Sequence, residues 1–340
     1  MRFLFRYLLL ALTAFLGLNS LLPHWLPQEY PRSLGPQFTT TIRLDLQKPI
    51  NIQQPQDILL GNSVIVNGLD PELFQSITGR RTVHFAFNGA ASAYYYLILK
   101  NIIATAESSP EYVLLFFIDN WLTRPELMVS GGPFLQIMDE VAGAEETVLL
   151  RKAYLNQLDP CMAYLDSHIM IFGERQTLKG KIDARLKYPL SDWLMDCGRD
   201  CLDNALDTAF FYDNMFPAPD PAERYRDEWS GREWNFKGRL ADSFLPDIIE
   251  VARQHGLKLI FVREKNSRFM TLEEETADMR RYFQDLSEYL YQQGIPLLDF
   301  AHDPALGVEL FHDQMHFIPE ARPVFTHLVA EKYMAEVLGK

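Results

Sequence analysis

The sequence is poor in cysteine, in positive charge and in repetition. Its 340 residues include three cysteines, Cys161, Cys197 and Cys201. Cys197 and Cys201 stand as C-x-x-x-C without the partner pair that a structural zinc site needs. In an oxidising compartment they could pair with each other or with Cys161, leaving one thiol free. Otherwise all three read as buried thiols of an inserted region. Lys and Arg number 32 against 45 Asp and Glu, a net charge of −13. That shortage of cations argues against nucleic acid, whose binding rests on Lys and Arg neutralising phosphates. It would equally be repelled by an anionic membrane surface. No internal repeat or low-complexity tract is visible. What is present, 48% hydrophobic and 23% charged residues, is ordinary for a folded protein.

A small-x-small cleavage site is also missing near the N terminus, where Leu18-Asn19-Ser20 runs into further leucines. Arg2 and Arg6 precede an uncharged stretch from Tyr7 to Leu22. A basic flank followed by an apolar run is the pattern of a secretory signal or a short membrane anchor. The stretch approaches the ~20 residues of a bilayer crossing once Phe3, Leu4 and Phe5 are counted. Residues 1–25 are therefore expected to form an uncleaved, single-pass signal-anchor helix in the cytoplasmic membrane. The arginines place the N terminus inside and the body on the periplasmic or extracellular side. An amphipathic or buried N-terminal helix is the alternative.

Residues 26–56, rich in Pro, Gln and Thr, read as a tether with one strand over Thr39–Leu46. Beyond them apolar runs alternate with helical segments. The predicted strands are Asp57–Gly61, Val83–Phe87, Tyr112–Ile118, Lys258–Val262 and Ile295–Phe300. The predicted helices are Leu69–Ile77, Ser92 to about Ala106, Leu240–His255, Thr271–Gln293 and Pro319–Leu338. Asp70-Pro71 marks the start of the first helix, and Thr271 with Glu274 forms a capping box at the fourth. Continuously apolar strands separated by helices imply a parallel sheet covered on both faces. The expected fold is a three-layer αβα sandwich with a five-stranded flavodoxin-like sheet, built from 57–120 and 240–340. Residues 121–239 are too long for a loop and read as a mainly helical inserted cap. Its predicted helices are Phe134–Leu158 and Leu190–Phe210, followed by a Trp/Arg-rich segment, Arg224–Arg239.

In such a sheet the reactive groups lie beyond the C-terminal strand ends. Ser63 stands there in Gly61-Asn62-Ser63, where its hydroxyl can project at the sheet edge. Gly89 follows the second strand, and its N–H could approach an acyl group closely. Asn120 follows the third, with a side-chain amide able to donate to an oxyanion. Asp313-Gln-Met-His316 precedes the last helix, a spacing that lets the carboxylate hold the imidazole while its other nitrogen takes a serine proton. Asp299-Phe-Ala-His302 has the same spacing and competes with it. The later pair is preferred because the loop before the last helix lies near the first strand. Trp229 and Trp234 could stack on a sugar or pack in the insertion's core, and Arg263 could position a charged substrate or cap the sheet edge. A metal site on His312, Asp313 and His316 lacks an identifiable fourth ligand, so no metal and no cofactor is expected.

These blocks together resemble the SGNH hydrolase superfamily. Gly61-Asn62-Ser63 is similar to its first block, with Asn62 where the family usually has Asp. Asn88-Gly89 resembles the second, Asp119-Asn120 the third without its customary preceding glycine pattern, and Asp313-x-x-His316 the fourth. Phe317-Ile-Pro, leading into a closing helix, is also similar to the family's segment after its fourth block. The resemblance covers 57–120 and 240–335. It implies a Ser63–His316–Asp313 serine esterase or acyltransferase with Gly89 and Asn120 in the oxyanion hole. Within the superfamily, the N-terminal segment, the run Leu60-Gly-Asn-Ser63 through Gly68-Leu-Asp-Pro71, and Phe261-Val-Arg263 look most like outward-facing members that work beside a membrane-bound O-acyltransferase. Examples are the D-alanine transfer protein of teichoic-acid modification and the periplasmic acetyltransferases of exopolysaccharide modification. That likeness implies a membrane-bound O-acyltransferase partner and a polysaccharide or other acyl acceptor. A catalytically silent scaffold subunit of such a complex is the alternative.

Overall fold

The computed structural model describes residues 2–21, 30–31, 33–38, 44–129, 132–174, 178, 180–181 and 234–340. Outside them lie Trp229, Cys197, Cys201, the predicted helix Leu190–Phe210 and most of the Trp/Arg-rich segment. The chain divides into two compact units, Met1–Gly35 with Leu158–Trp229, and Pro36–Gln157 with Ser230–Lys340.

The smaller unit contains α1 (Arg2–Leu21), where Asn19 Oδ1 accepts a 3.1 Å hydrogen bond from the Ile171 amide. Among the described residues no helix is long and apolar enough to cross a membrane. This corrects the expected N-terminal membrane-spanning helix. Arg2 and Arg6 occupy the first turns, and the uncharged part from Tyr7 to Leu21 spans only about 22 Å at 1.5 Å per residue. A hydrocarbon core is ~30 Å thick. Phe5, Tyr7, Leu10 and Leu16 are nevertheless exposed. Cys161, expected to be a buried thiol, is exposed and free.

The larger unit is a parallel sheet of β1 (Asp57–Gly61), β2 (Thr82–Ala86), β3 (Tyr112–Phe117), β4 (Lys258–Arg263) and β5 (Leu297–Asp299). Their order is β2-β1-β3-β4-β5, with every pairing parallel. Strand residues alternate between the two faces, and both faces are covered, which is why the central runs 58–60, 113–117 and 259–262 are apolar throughout. Leu59, Leu114, Phe116, Ile260, Val262 and Leu298 form one face. Helices α3 (Ser63–Gly68), α4 (Pro71–Thr78) and α10 (Arg322–Tyr333) pack there, following the short α2 (Lys48–Gln53) in chain order. On the other side α5 (Ser92–Leu97) meets α8 (Leu245–Gln254), which in turn lies on β4. Between these two in sequence come α6 (Gly132–Val141) and, in the smaller unit, α7 (Pro160–His168). Helix α9 (Ala277–Gln292) packs on β5.

The departures from the sequence reading have local causes. The expected tether contributes α2, whose Ile50 is fully buried. Residues 121–157 belong to the sheet unit, with Leu122 and Leu149 completely buried. The Thr271/Glu274 capping box forms, yet it heads only a 3-10 turn, Leu272–Glu274. Glu275 breaks the helix because its backbone is extended (ψ 143°) and its carboxylate turns inward to Arg263. Helix α9 then restarts, with Thr276 Oγ1 accepting from the Met279 amide at 3.2 Å.

The chain passes from β1 to β2 on one side and returns to β3 on the other, so the switch point lies at the C-terminal ends of β1 and β3. Open α/β sheets place ligands in the crevice at such points.

Candidate active site

Ser63 begins α3 immediately past β1. Asn62 turns the chain there: its backbone is extended and its side-chain oxygen accepts from the Val64 amide at 2.8 Å. The Asn62 amide donates at 3.0 Å to Glu264 Oε2, just beyond β4. Both side chains are buried. Burial, opposed by that hydrogen bond and helped by nearby Asp119, raises the Glu264 pKa to about 8. Asp119 follows β3 in the left-handed region (φ +50°) and accepts from Asn266 Nδ2 at 3.1 Å. The loop 264–267 thus connects three strand ends beneath the serine.

That same loop reaches the segment before α10. The Ser267 amide donates to the Gln314 carbonyl (2.8 Å) and its hydroxyl to the Asp313 carbonyl (3.1 Å). Residues 311–317 form a tight reversal, with Phe311 bridging Phe317 and the His312 amide donating to the His316 carbonyl at 2.7 Å. Asp313 Oδ1 accepts from the amides of Met315 and His316, both at 2.8 Å, and Oδ2 meets His316 Nδ1 at 2.8 Å. His316 Nε2 lies 2.7 Å from Ser63 Oγ. Burial works against ionisation of Asp313, but the two backbone amides and the imidazole outweigh it and hold its pKa at about 2.

Two glycines near the serine leave room for an aromatic ring. A Cβ on Gly68 would lie 2.4 Å from Phe317 Cδ2, so the ring beside His316 sits directly on α3. Gly89 has φ +77°, and a Cβ there would lie 2.3 Å from Phe134 Cε1. Ser63, Asn67, Asn88, Gly89, Asp313, His316 and Arg322 share the wall of a cavity of about 640 Å³.

The structure therefore brings Ser63, Gly89, Asp313 and His316 into one cavity. Asn120 is absent from that wall and is buried at the start of the turn Trp121–Thr123. Trp234 is buried edge-on to Tyr282, a core position rather than a sugar platform. Arg263 is a sheet-edge residue, paired with Glu275 and, at 3.2 Å, with Asp299, and stacked on Phe283. His302 Nε2 is bound to Glu275 at 3.1 Å, while Asp299 caps the Ala301 amide, so the rival Asp-x-x-His does not form a pair. Among the described residues no group of three or more His, Cys, Asp or Glu could hold a metal ion. Glu264 and Arg322 were not singled out by the sequence reading. Glu264 directly follows the strand run Phe261-Val-Arg263 and carries no local signal of its own.

No family model matches the sequence, nor does any curated protein. Solved structures similar to the chain include a GDSL-like lipase from Bacteroides thetaiotaomicron, at 10% identity and a TM-score of 0.36, covering 84% of this chain and 90% of that one. A candidate acylhydrolase from Bacteroides fragilis is similar at 11% identity and a TM-score of 0.37, covering 83% and 87%. Likeness at this level decides neither fold nor activity.

Gly68→Ala is expected to push Phe317 outward, lowering stability by about 1–3 kcal/mol as an overpacked site does. Displacing the neighbouring imidazole by even 1 Å should cost turnover about 10²-fold, measured as ester hydrolysis alongside a thermal melt. Glu264 provides a pH test. Its pKa lies above the ordinary 4.5, so the folded state holds a proton that the unfolded state releases. Stability is fully retained below pH 4.5 and falls as pH rises towards 8, by on the order of a few kcal/mol. Urea midpoints of Glu264→Gln at pH 5 and pH 8 should lack this component of the fall.

Proposed function

We propose that the chain is a serine esterase or acyltransferase of the SGNH type that works through a Ser63 acyl-enzyme. One observation carries this reading: two short hydrogen bonds in series, 2.7 Å from Ser63 Oγ to His316 Nε2 and 2.8 Å from His316 Nδ1 to Asp313 Oδ2. His316 takes the hydroxyl proton as Oγ attacks the ester carbonyl, and the ionised Asp313 stabilises the imidazolium. The backbone N–H groups of Ser63 and Gly89 receive the developing oxyanion. The C–O bond to the alcohol breaks, and the alcohol leaves with the proton from Nε2. A second hydroxyl, from a sugar or from water, gives its proton to His316 and attacks the acyl-enzyme. Ester or acid is released and Ser63 regains its proton. Asp313, with its pKa at about 2, stays ionised through the neutral range.

The finer reading is that the acceptor is a hydroxyl of a cell-surface or exported polysaccharide. A membrane-bound O-acyltransferase would be the partner, and the body would work at the outer face of the cytoplasmic membrane. Its support is the resemblance of Leu60–Pro71 and Phe261–Arg263, the basic-then-apolar N-terminal segment, and the exposed apolar side chains of α1.

Ser63→Ala and His316→Ala should each lower turnover of an activated ester by at least about 10³-fold. His302→Ala should stay within about threefold of the parent, because a residue outside the site perturbs the barrier little. Ser63→Ala should also abolish labelling by a fluorophosphonate probe. Absent labelling, with full complementation by Ser63→Ala in cells, would instead favour the scaffold role. Protease digestion of intact and permeabilised cells should show the body exposed outside the cytoplasm; protection in intact spheroplasts would refute that location.

A further inference from the structure

Arg322 begins α10 and is half-buried in the wall of the cavity that holds Ser63. Its Nε donates to the Leu69 carbonyl at 3.0 Å, a neutral partner. Other buried or half-buried arginines of the unit are neutralised. Arg80 meets Asp57 at 2.7 Å and Glu111 at 2.9 Å, Arg124 and Arg239 share Glu126, and Arg263 is held by Glu275 and Asp299. Among the described residues no carboxylate pairs with Arg322. Among the described residues the only carboxylate on the same wall is Asp313, and its oxygens are already taken by two backbone amides and His316. His84 lies within electrostatic reach and does not compensate the charge. Burial first, and then Arg322 itself, lower its pKa to about 4, so it is neutral at pH 7.

A half-buried guanidinium without a carboxylate partner stands out in a protein that has 45 Asp and Glu to 32 Lys and Arg. It is an expected feature where a ligand supplies the anion. The planar fork matches a carboxylate or phosphate, for which it makes charge-assisted paired hydrogen bonds. Asn67 and Asn88 on the same wall offer amides suited to hydroxyl groups.

We infer that the substrate bound at Ser63 carries an anionic group, a carboxylate or phosphate, received by Arg322. This rests on the acyl-transfer reading of the cavity. The anion could belong to the acyl group or to the alcohol, and the two are separable. Binding is measured to the full-length Ser63→Ala protein, so turnover plays no part. Three matched pairs of probes are compared: monomethyl succinate with methyl butyrate, methyl glucuronide with methyl glucoside, and glucose 6-phosphate with glucose.

At least one anionic probe should bind about tenfold or more tightly than its uncharged match, as one charge-assisted hydrogen bond implies. The pair that shows the difference identifies which moiety carries the charge. Arg322→Gln should remove the difference and Arg322→Lys should keep part of it, with thermal melts verifying that both variants fold. Equal binding within all three pairs, or a difference that persists in Arg322→Gln, would overturn the inference. If Arg322→Gln does not fold, Arg322→Lys is compared with the Ser63→Ala protein: a difference reduced at least about threefold supports the inference, because lysine lacks the planar fork, and an unchanged difference overturns it. A parent protein inactive on activated esters would refute acyl transfer while leaving an Arg322-dependent binding difference intact.

Discussion

An aromatic ring resting where a glycine has no side chain holds the candidate site together. Ser63 and His316 are separated by 253 positions, and their meeting depends on how the segment before α10 docks on α3. Phe317 makes that docking tight: its ring fills the space over Gly68 and packs against Phe311 and Phe325 at 4.6 and 4.9 Å. Burying such a ring supplies enough non-directional energy to anchor a loop. The direction comes from elsewhere. Asp313 takes two backbone amides and the imidazole, which sets the turn and the orientation of the ring together. Hydrophobic burial brings the loop down, and hydrogen bonds aim it.

A layer of polar groups beneath the serine does comparable work from below. Asn62, Glu264, Asp119 and Asn266 come from the ends of β1, β4 and β3 and are all buried. Burial in a medium of low polarity, with Asp119 as a lesser contributor, opposes ionisation of Glu264. Glu264 keeps its proton to about pH 8, and Asn62 can then hydrogen-bond it without stranding a charge. Asn62 also caps α3, so the residue that turns the chain towards Ser63 is pinned at both ends of its amide. An asparagine is suited to this because it donates and accepts at once; an aspartate beside Glu264 would add a third acid.

Arg263 and Arg322 show how little a residue type says without its surroundings. Arg263 directly ends β4, and its charge is consumed by Glu275, Asp299 and the face of Phe283. Arg322 lies on the cavity wall with one hydrogen bond to a carbonyl. One guanidinium fastens a sheet edge; the other is available to a ligand.

Local periodicity and punctuation were enough to determine the five strands, the parallel sheet and the positions of Ser63, Gly89 and Asp313-x-x-His316 at its C-terminal edge. Apolar runs, Asp70-Pro71 and the glycines act within a few residues and are legible as such. The sequence favoured His316 over His302 only through the expected order of the sheet, because equal spacing from an aspartate is a local property. Tertiary structure decided between them, since Glu275 and Arg263 occupy the surroundings of His302 while Phe317 brings His316 to Ser63. It also set Trp234 in the core against Tyr282, restarted a helix at Ala277 and left α1 too short in uncharged residues to span a bilayer. Each of those outcomes depends on which distant group meets a side chain, or on a length measured in three dimensions. No pattern within a window of sequence contains that information.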